Sequence, residues 1–378
     1  MSGESGEQTR FFQGKRIIAF VIVFETLSLL LHFYVFAHLF YLLDIPSDGW
    51  FVPFVLIISV LWLLTMGWGM MSASRFSTVF HIASTFWLGL LFMFVFTLVG
   101  WDVVRFFVSV PREIAGPTII AIAMGAVIYG LMNARFLRTR EVVIPTDKLE
   151  GEVRVAHLSD IHIGSFYSSK FLQRVVDRTN SLDPDMVVIT GDLADGAHPY
   201  TGETFKPLDE LEVPVYYVTG NHEHYAGLND VLAALEETKV NHLVNTMVVE
   251  KGIQVIGVDY WAEKDEVATT LDDIQLDPSK FSLVLYHVPR ELEAIRERKV
   301  DLMLSGHTHA GQFFPFTLMT KVMWKKGKGL YDLGGSRLFV SHGIGTWGPP
   351  IRIGTSSQVA LLRIMGRGTD GPECCSMD

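Results

Sequence analysis

Apolar positions along this chain fall into two regimes. Through the first third they run almost unbroken over residues 17–43, 51–71, 76–100 and 114–132, with few charges inside. Each run approaches or exceeds the roughly 20 residues that carry a helix across a hydrocarbon core. The pattern predicts four membrane-spanning helices, which return the chain to the side on which it began. The first run follows a polar leader with Arg10, Lys15 and Arg16, as a secretory signal would. A signal's apolar core is only about 7–15 residues and closes on small residues, whereas this run ends FYLLDIPSDGW. From residue 151 the apolar runs shorten, become rich in Val, Ile, Leu and Tyr, and alternate with charged helical stretches and Gly/Asn/Asp turns. That alternation predicts an α/β domain.

Charge orients the spans. Arg10, Lys15, Arg16, Arg75, Arg135, Arg138 and Arg140 flank one side and only Arg105 and Arg112 the other, so both termini and everything after residue 140 are expected in the cytoplasm. The expected location is the inner (plasma) membrane, multi-pass, with Trp50, Trp68 and Trp101 near the interfaces. Glu25, His32, His38 and His81 interrupt the spans; they read as groups satisfied by neighbouring helices rather than as a proton path. A hydrophobic content of 49% with 19% charged residues argues against a fully soluble protein. Residues 1–150 hold ten basic and ten acidic side chains, so the net charge of −10 falls entirely on the second half. A chain so charged lacks the footprint for a nucleic-acid backbone. Cys374 and Cys375 sit side by side in a polar tail, which leaves no disulfide framework or zinc-ribbon spacing, and the final CSMD lacks a prenylation pattern.

The chemistry lies at the end of each strand-like run. VRVAHLSD leads into SDIHIG, MVVIT into GDLAD, VPVYYVT into GNHEH, FSLVLY into HVPR, and VDLMLS into GHTHAG. In α/β sheets the carboxyl ends of strands form the functional rim, so these His, Asp and Asn residues should converge. Asp160 and His162, and likewise His307 and His309, are two apart, a spacing that in extended backbone projects both side chains to one side. Gly191, Gly220 and Gly306 directly precede candidate ligands, where a missing Cβ permits close approach. Oxygen and imidazole donors without thiolate suit Mn, Fe, Zn or a similar ion, and so many donors suit two divalent metal ions.

The ordered set SDIHIG, GDLADG, GNHEHY, YHVP and GHTHAGQ resembles the calcineurin-like metallophosphoesterase superfamily, and more narrowly its bacterial membrane-associated branch. The stretch GKGLYDLGGSRLFVSHGIGTWGPPIRIG is also similar to that branch, so the resemblance covers nearly all of 151–363 and none of the four-helix region. It implies a two-sheet β-sandwich flanked by helices. It further implies one metal held by Asp160, His162, Asp192 and His309, and another held by Asp192, Asn221, His287 and His307, with Asp192 bridging. His222 matches the family's catalytic histidine and Asp195 the carboxylate that orients it, while Glu223 stands where some members have Asp. His224 lies outside the motif and faces either substrate or solvent.

The expected organisation is a four-helix transmembrane domain at 1–140, a linker at 141–152, the metallophosphoesterase domain at 153–365 and a polar tail at 366–378. The expected activity is hydrolysis of a phosphoester or pyrophosphate bond by metal-activated water. The best clue to substrate is the segment 312–328, where aromatic and apolar residues run directly into Lys325, Lys326 and Lys328, as in interfacial segments that meet anionic headgroups. A phospholipid, lipid-linked pyrophosphate or nucleotide-lipid is therefore favoured. Two other classes remain open: a soluble nucleotide or phosphoprotein with the helices as anchor only, and a transporter or sensor that the phosphoesterase regulates. Oligomeric state is not encoded in any of these patterns.

Overall fold

The computed structural model describes residues 3–261 and 263–368, with side chains from residue 21 onward. Cys374, Cys375 and the tail from 369, together with the side chains of Arg10, Lys15 and Arg16, lie outside the described residues. The chain forms two compact units, Met1–Ile128 and Tyr129–Asp378.

Among the described residues four helices are long and apolar enough to cross a membrane: α1 (Gly3–Leu42), α2 (Phe51–Met71), α3 (Arg75–Phe107) and α4 (Arg112–Arg135). The apolar part of α1 is Val21–Leu42, and α2 matches its hydrophobic run. Ser74 caps α3 by accepting from the Ser77 amide at 3.1 Å. Polar side chains within the spans find partners on neighbouring helices. Ser59 donates to Glu25 at 2.8 Å, Trp87 Nε1 to His32 Nε2 at 2.8 Å and Tyr34 to Asp102 at 2.7 Å, and His38 Nε2 lies 3.2 Å from the same carboxylate. Such bonds satisfy groups that lipid cannot, which is the structural role expected of Glu25, His32 and His38.

The second unit continues in chain order with β1 (Arg138–Glu150), β2 (Glu152–Leu158), β3 (Ile163–Gly164), α5 (Ser169–Asn180), β4 (Met186–Thr190), β5 (Ala194–Asp195) and α6 (Gly202–Phe205). Next come β6 (Val215–Val218), α7 (Asn221–Ala226), α8 (Leu228–Glu236), β7 (Asn241–His242), β8 (Thr246–Glu250), β9 (Ile253–Gly257) and α9 (Glu266–Asp273). The chain then forms β10 (Phe281–Leu285), α10 (Leu292–Glu297), β11 (Leu302–Ser305), α11 (Phe316–Met323), β12 (Gly329–Asp332), β13 (Arg337–Val340) and β14 (Gln358–Arg367).

Two six-stranded sheets result, ordered β1-β14-β2-β4-β6-β7 and β12-β13-β11-β10-β9-β8. Their central strands are parallel and buried on both faces, which explains their near-continuous apolar sequences. Alternation within each strand divides the core into three layers. Val155, Val188 and Val218 of the first sheet meet Val255, Leu283, Leu304 and Phe339 of the second. Leu158, Ile189 and Tyr217 face outward onto Phe171, Val175 and Leu235 of α5 and α8, and Ile256, Val284 and Met303 face outward onto Val267, Leu271 and Ile295 of α9 and α10. The architecture is the expected two-sheet sandwich flanked by helices.

The segment 141–152 departs from expectation. Instead of a linker it is mostly strand β1, paired in parallel with β14 from Arg138 opposite Gln358 to Pro145 opposite Met365. Val142 and Ile144 point into the inter-sheet core. The charged and proline-containing run RTREVVIPTDKLE conceals the strand, because its partner lies more than two hundred residues downstream.

Candidate metal centre

The loops leaving β2, β4, β6, β10 and β11 carry the motif residues, and the parallel order brings those loops to one edge. Asp160 (φ 54°), His162 (φ 56°), Asp192 (φ 52°), His307 (φ 69°) and His309 (φ 48°) all adopt left-handed backbone. Non-glycine residues rarely do so, at roughly 1–3 kcal/mol each, and their concentration here marks strain held by the surrounding fold. The two-apart pairs thus reach their places through tight turns rather than extended backbone. His307 and His309 correspondingly separate, His309 joining Asp160 and His162 while His307 joins Asp192 and His287.

Glycine is required where these loops touch. A Cβ on Gly220 would lie 2.3 Å from Asp192 Oδ1, and one on Gly191 (φ 77°) 2.6 Å from the Gly220 nitrogen. The contacts that result are dense. His162 Nε2 lies 3.0 Å from His309 Nε2, and His309 Nε2 lies 3.4 Å from Asp160 Oδ1. His287 Nε2 lies 3.2 Å from Asp192 Oδ2 and 3.1 Å from Asn221 Oδ1, and His307 Nδ1 lies 2.9 Å from that same amide oxygen and 3.2 Å from His287 Nε2. Asp160 and His287 are fully buried, and Asp192 nearly so.

This arrangement fits a shared cation. Buried imidazole nitrogens facing one another have too few protons to satisfy every contact, and the buried Asp160 Oδ2 has no hydrogen-bond partner. The Nδ1 of His287 lies 2.8 Å from the Thr190 carbonyl, to which it can only donate, so Nε2 is the nitrogen whose lone pair a cation would take in the neutral ring. Burial pushes the His307 imidazole down to about 3, which leaves it neutral and able to ligate. Burial would raise the Asp192 carboxyl, but the imidazoles of His287 and His222 hold it well below the usual range. The Asp160–His162–His309 and Asp192–His287–His307 groups could each hold an ion, with Asp192 also close to His162. The resemblance seen in the sequence implies a dinuclear divalent site, and these are clusters available for it.

His222 stands at the rim, its Nδ1 donating to Asp195 Oδ1 at 2.7 Å and its Nε2 4.0 Å from Asp192 Oδ2. Burial alone would lower its pKa, but the Asp192 charge and the Asp195 hydrogen bond carry it up to about 9. Asp195 is itself held below the ordinary range: burial opposes ionisation, but the imidazoles of His162 and His222 outweigh it. His224 is half-buried, its Nε2 2.6 Å from the Tyr260 carbonyl.

Two buttresses escaped sequence reasoning. Glu223 is fully buried and accepts from the amides of Asp192, Leu193, Ala194 and Gly220 at 2.6–3.1 Å, binding two site loops together. Its place in GNHE was visible, but nothing there revealed four donors. Arg352 is also fully buried; its Nη2 donates to the carbonyls of His342 and Gly345 at 2.7 Å and lies 3.4 Å from His309 Nδ1. Burial lowers its pKa to about 10, so the guanidinium stays charged at neutral pH.

Residues 153–311 match the model of the calcineurin-like phosphoesterase family. The chain is similar to an uncharacterized metallophosphoesterase of Helicobacter pylori strain J99, at 37% identity over 60% of this chain and 64% of that protein. It is similar to one of Campylobacter jejuni at 31% identity over 77% of this chain and 83% of that protein. It is also similar to a Danio rerio protein named transmembrane protein with metallophosphoesterase domain, at 32% identity over 65% of this chain and 62% of that one. The chain therefore spans less than two thirds of the Helicobacter and Danio relatives.

Proposed function

This chain belongs to the calcineurin-like metallophosphoesterases, and from that premise we propose that it is a membrane-anchored hydrolase of phosphoester or pyrophosphate bonds in a lipid or lipid-linked substrate. The observation that carries the reading is the convergence of seven His, Asp and Asn side chains, all buried except the half-buried His307, from five strand ends, with ring nitrogens facing one another. In this reading Asp160, His162, Asp192 and His309 would hold one ion and Asp192, Asn221, His287 and His307 the other. Two such ions, Mn, Fe or Zn, would supply water of near-neutral pKa and neutralise phosphoryl oxygens.

The chain's own residues do the rest. Asp195 fixes the His222 ring through Nδ1, which leaves Nε2 to donate to the leaving-group oxygen. Glu223 keeps the backbone of Asp192 and Gly220 in register, so that orientation is built in before substrate arrives. Support for a lipid substrate comes from the four membrane-length helices and from Trp324, whose ring meets His307 edge-on at 5.5 Å and leads directly into Lys325 and Lys326. The excess of Lys and Arg at the ends of the spans favours a cytoplasmic catalytic domain at the plasma membrane.

The test is hydrolysis by the detergent-purified full chain, with Mn or with chelator, of a phosphodiester reporter beside phospholipids and nucleotide-lipids. Metal-dependent headgroup or phosphate release that Asp192→Ala abolishes is expected. Hydrolysis of the reporter with every lipid untouched would remove the lipid assignment, and no hydrolysis despite bound metal would remove the enzyme.

A further inference from the structure

Beside the metal centre, α11 is anomalous. Amphipathic helices of this unit bury a stripe, as α5 does with Phe171, Leu172, Val175 and Val176, whereas α11 has no buried residue at all. Leu318, Met319, Val322 and Met323 are each at least half exposed, Val322 by 84%, and Phe314 and Trp347 extend the same apolar group. Loose attachment does not explain this. The Phe314 amide donates to the Ile353 carbonyl at 2.9 Å, Thr308 Oγ1 to the Gly327 carbonyl at 2.6 Å, and the Phe313 and Phe316 rings meet edge-on at 5.0 Å. A helix so firmly held, with its apolar side chains in the open, has a face made for an apolar partner.

Two further observations specify that partner. The first is charge. Among the described residues the lysine ion pairs are those of Lys148, Lys206, Lys251 and Lys280, so Lys321, Lys325, Lys326 and Lys328 have no carboxylate partner, although the chain as a whole is acidic. Lys321, Lys325 and Lys328 line a hollow of about 140 Å³ with Thr317, Thr320 and Trp324. The second is continuity. Gln312 Nε2 donates to the carbonyls of Trp347 at 3.0 Å and Pro349 at 2.7 Å. The Arg352 amide donates to the Gly130 carbonyl at 3.0 Å, and Asn133 Nδ2 to the carbonyls of Arg352 at 3.0 Å and Thr355 at 2.8 Å. One hydrogen-bonded loop therefore separates α11 from the last turns of α4, where a membrane-length helix ends.

We propose that α11, with Phe314 and Trp347, inserts into the surface of an anionic bilayer, and that the lysine-lined hollow holds a phospholipid headgroup phosphate. Apolar side chains on one short helix enter the acyl boundary while lysines beside them meet headgroups. The His307–Trp324 contact would then set the metal centre at the level of the headgroups. The inference rests on the bilayer reading of the four helices and not on the substrate, and its test involves no turnover.

In the full chain with Cys374→Ser and Cys375→Ser, spin labels would be placed singly at Met319→Cys, Val322→Cys and, as an aqueous control on α10, Glu293→Cys. The protein is reconstituted in nanodiscs of phosphatidylcholine alone or in equal parts with phosphatidylglycerol. In the anionic discs the labels at 319 and 322 should favour oxygen over a water-soluble nickel chelate several-fold more than the label at 293. Charge reversal by K325E/K326E/K328E should shrink that contrast. Aqueous behaviour at 319 and 322 in both discs overturns the proposal. Shielding from both reagents assigns the face to a protein partner or a second copy and overturns it equally. If inorganic phosphate in phosphatidylcholine discs reproduces the phosphatidylglycerol effect, the hollow takes free phosphate and the headgroup assignment falls.

Discussion

His222 and Asp192 sit within one contact network yet are assigned different work, and substitution separates them. Asp192 lies between the two clusters, so Asp192→Ala should remove both bound metal and activity. His222 joins Asp192 and His162 in space, but its ring is oriented by Asp195 and stands at the rim. In His222→Ala, metal content should hold while turnover falls about 10²–10⁴-fold, the usual loss for a general acid. Metal analysis beside kinetics decides the matter, and equal metal loss in both variants would sink the assignment. A second prediction concerns His157, fully buried with Nε2 2.8 Å from Thr190 Oγ1. Burial pushes its pKa from 6.5 down to about 3. The unfolded chain therefore binds a proton on this side chain that the folded chain refuses. Its contribution to stability is whole above about pH 6.5 and is lost as pH falls toward 3, at up to about 1.4 kcal/mol per pH unit. The thermal midpoint should fall more steeply between pH 7 and pH 5 in the native chain than in His157→Gln; identical slopes would exclude a neutral buried histidine.

At the scale of elements, the clearest device is α7, which begins on Asn221, a proposed ligand, and places Glu223 against four amides. Removing that carboxylate leaves buried donors unpaired, a cost of about 1–3 kcal/mol for each group that water cannot reach. Glu223→Ala should lower the thermal midpoint and weaken metal binding together, while Glu223→Gln, which keeps one acceptor, should be milder; an Ala variant with native metal affinity would show the loops to be held by other means. This element also shows what was legible in advance. The motif GNHEH marked Asn221 and His222 as candidates because ligand chemistry restricts residue type. Glu223 as a bracket was invisible, because nothing local distinguishes a carboxylate serving four amides from one in water. The left-handed turns at Asp160, His162, Asp192, His307 and His309 were hidden for a similar reason: glycine would have advertised them, but the residues there are chosen for their side chains. The apolar runs that became β4, β6 and β10 were plain because burial on both faces demands unbroken hydrophobicity. Strand β1 was not, because only two of its early positions, Val142 and Ile144, enter the core and its pairing is entirely non-local.

The whole molecule inherits a consequence from β1. Where a linker is expected near 141–152, cutting the chain at about residue 145 looks like a clean way to free the catalytic unit from its helices. The structure predicts otherwise. Such a cut deletes Val142 and Ile144 from the core between the sheets and bares the edge of β14 over most of its paired length. Burying each of those side chains is worth about 1.5–3 kcal/mol, a large share of the roughly 5–15 kcal/mol that holds a domain folded, and a bared hydrophobic edge invites aggregation. It also removes Asn133, whose amide ties the 352–355 loop, and Ala134, whose carbonyl accepts from Ser357 at 2.8 Å. That loop carries Arg352 against His309, so damage at the end of α4 reaches the metal centre. A chain beginning at Tyr129, where the second compact unit starts, should keep a protease-resistant core and metal-dependent hydrolysis of a soluble reporter, whereas one beginning at 145 should aggregate or be digested. Limited proteolysis and gel filtration of both fragments would decide it. If the shorter fragment is folded and fully active, β1 is a dispensable edge; if both fail, the helices are needed for folding, and their part in this protein exceeds anchorage.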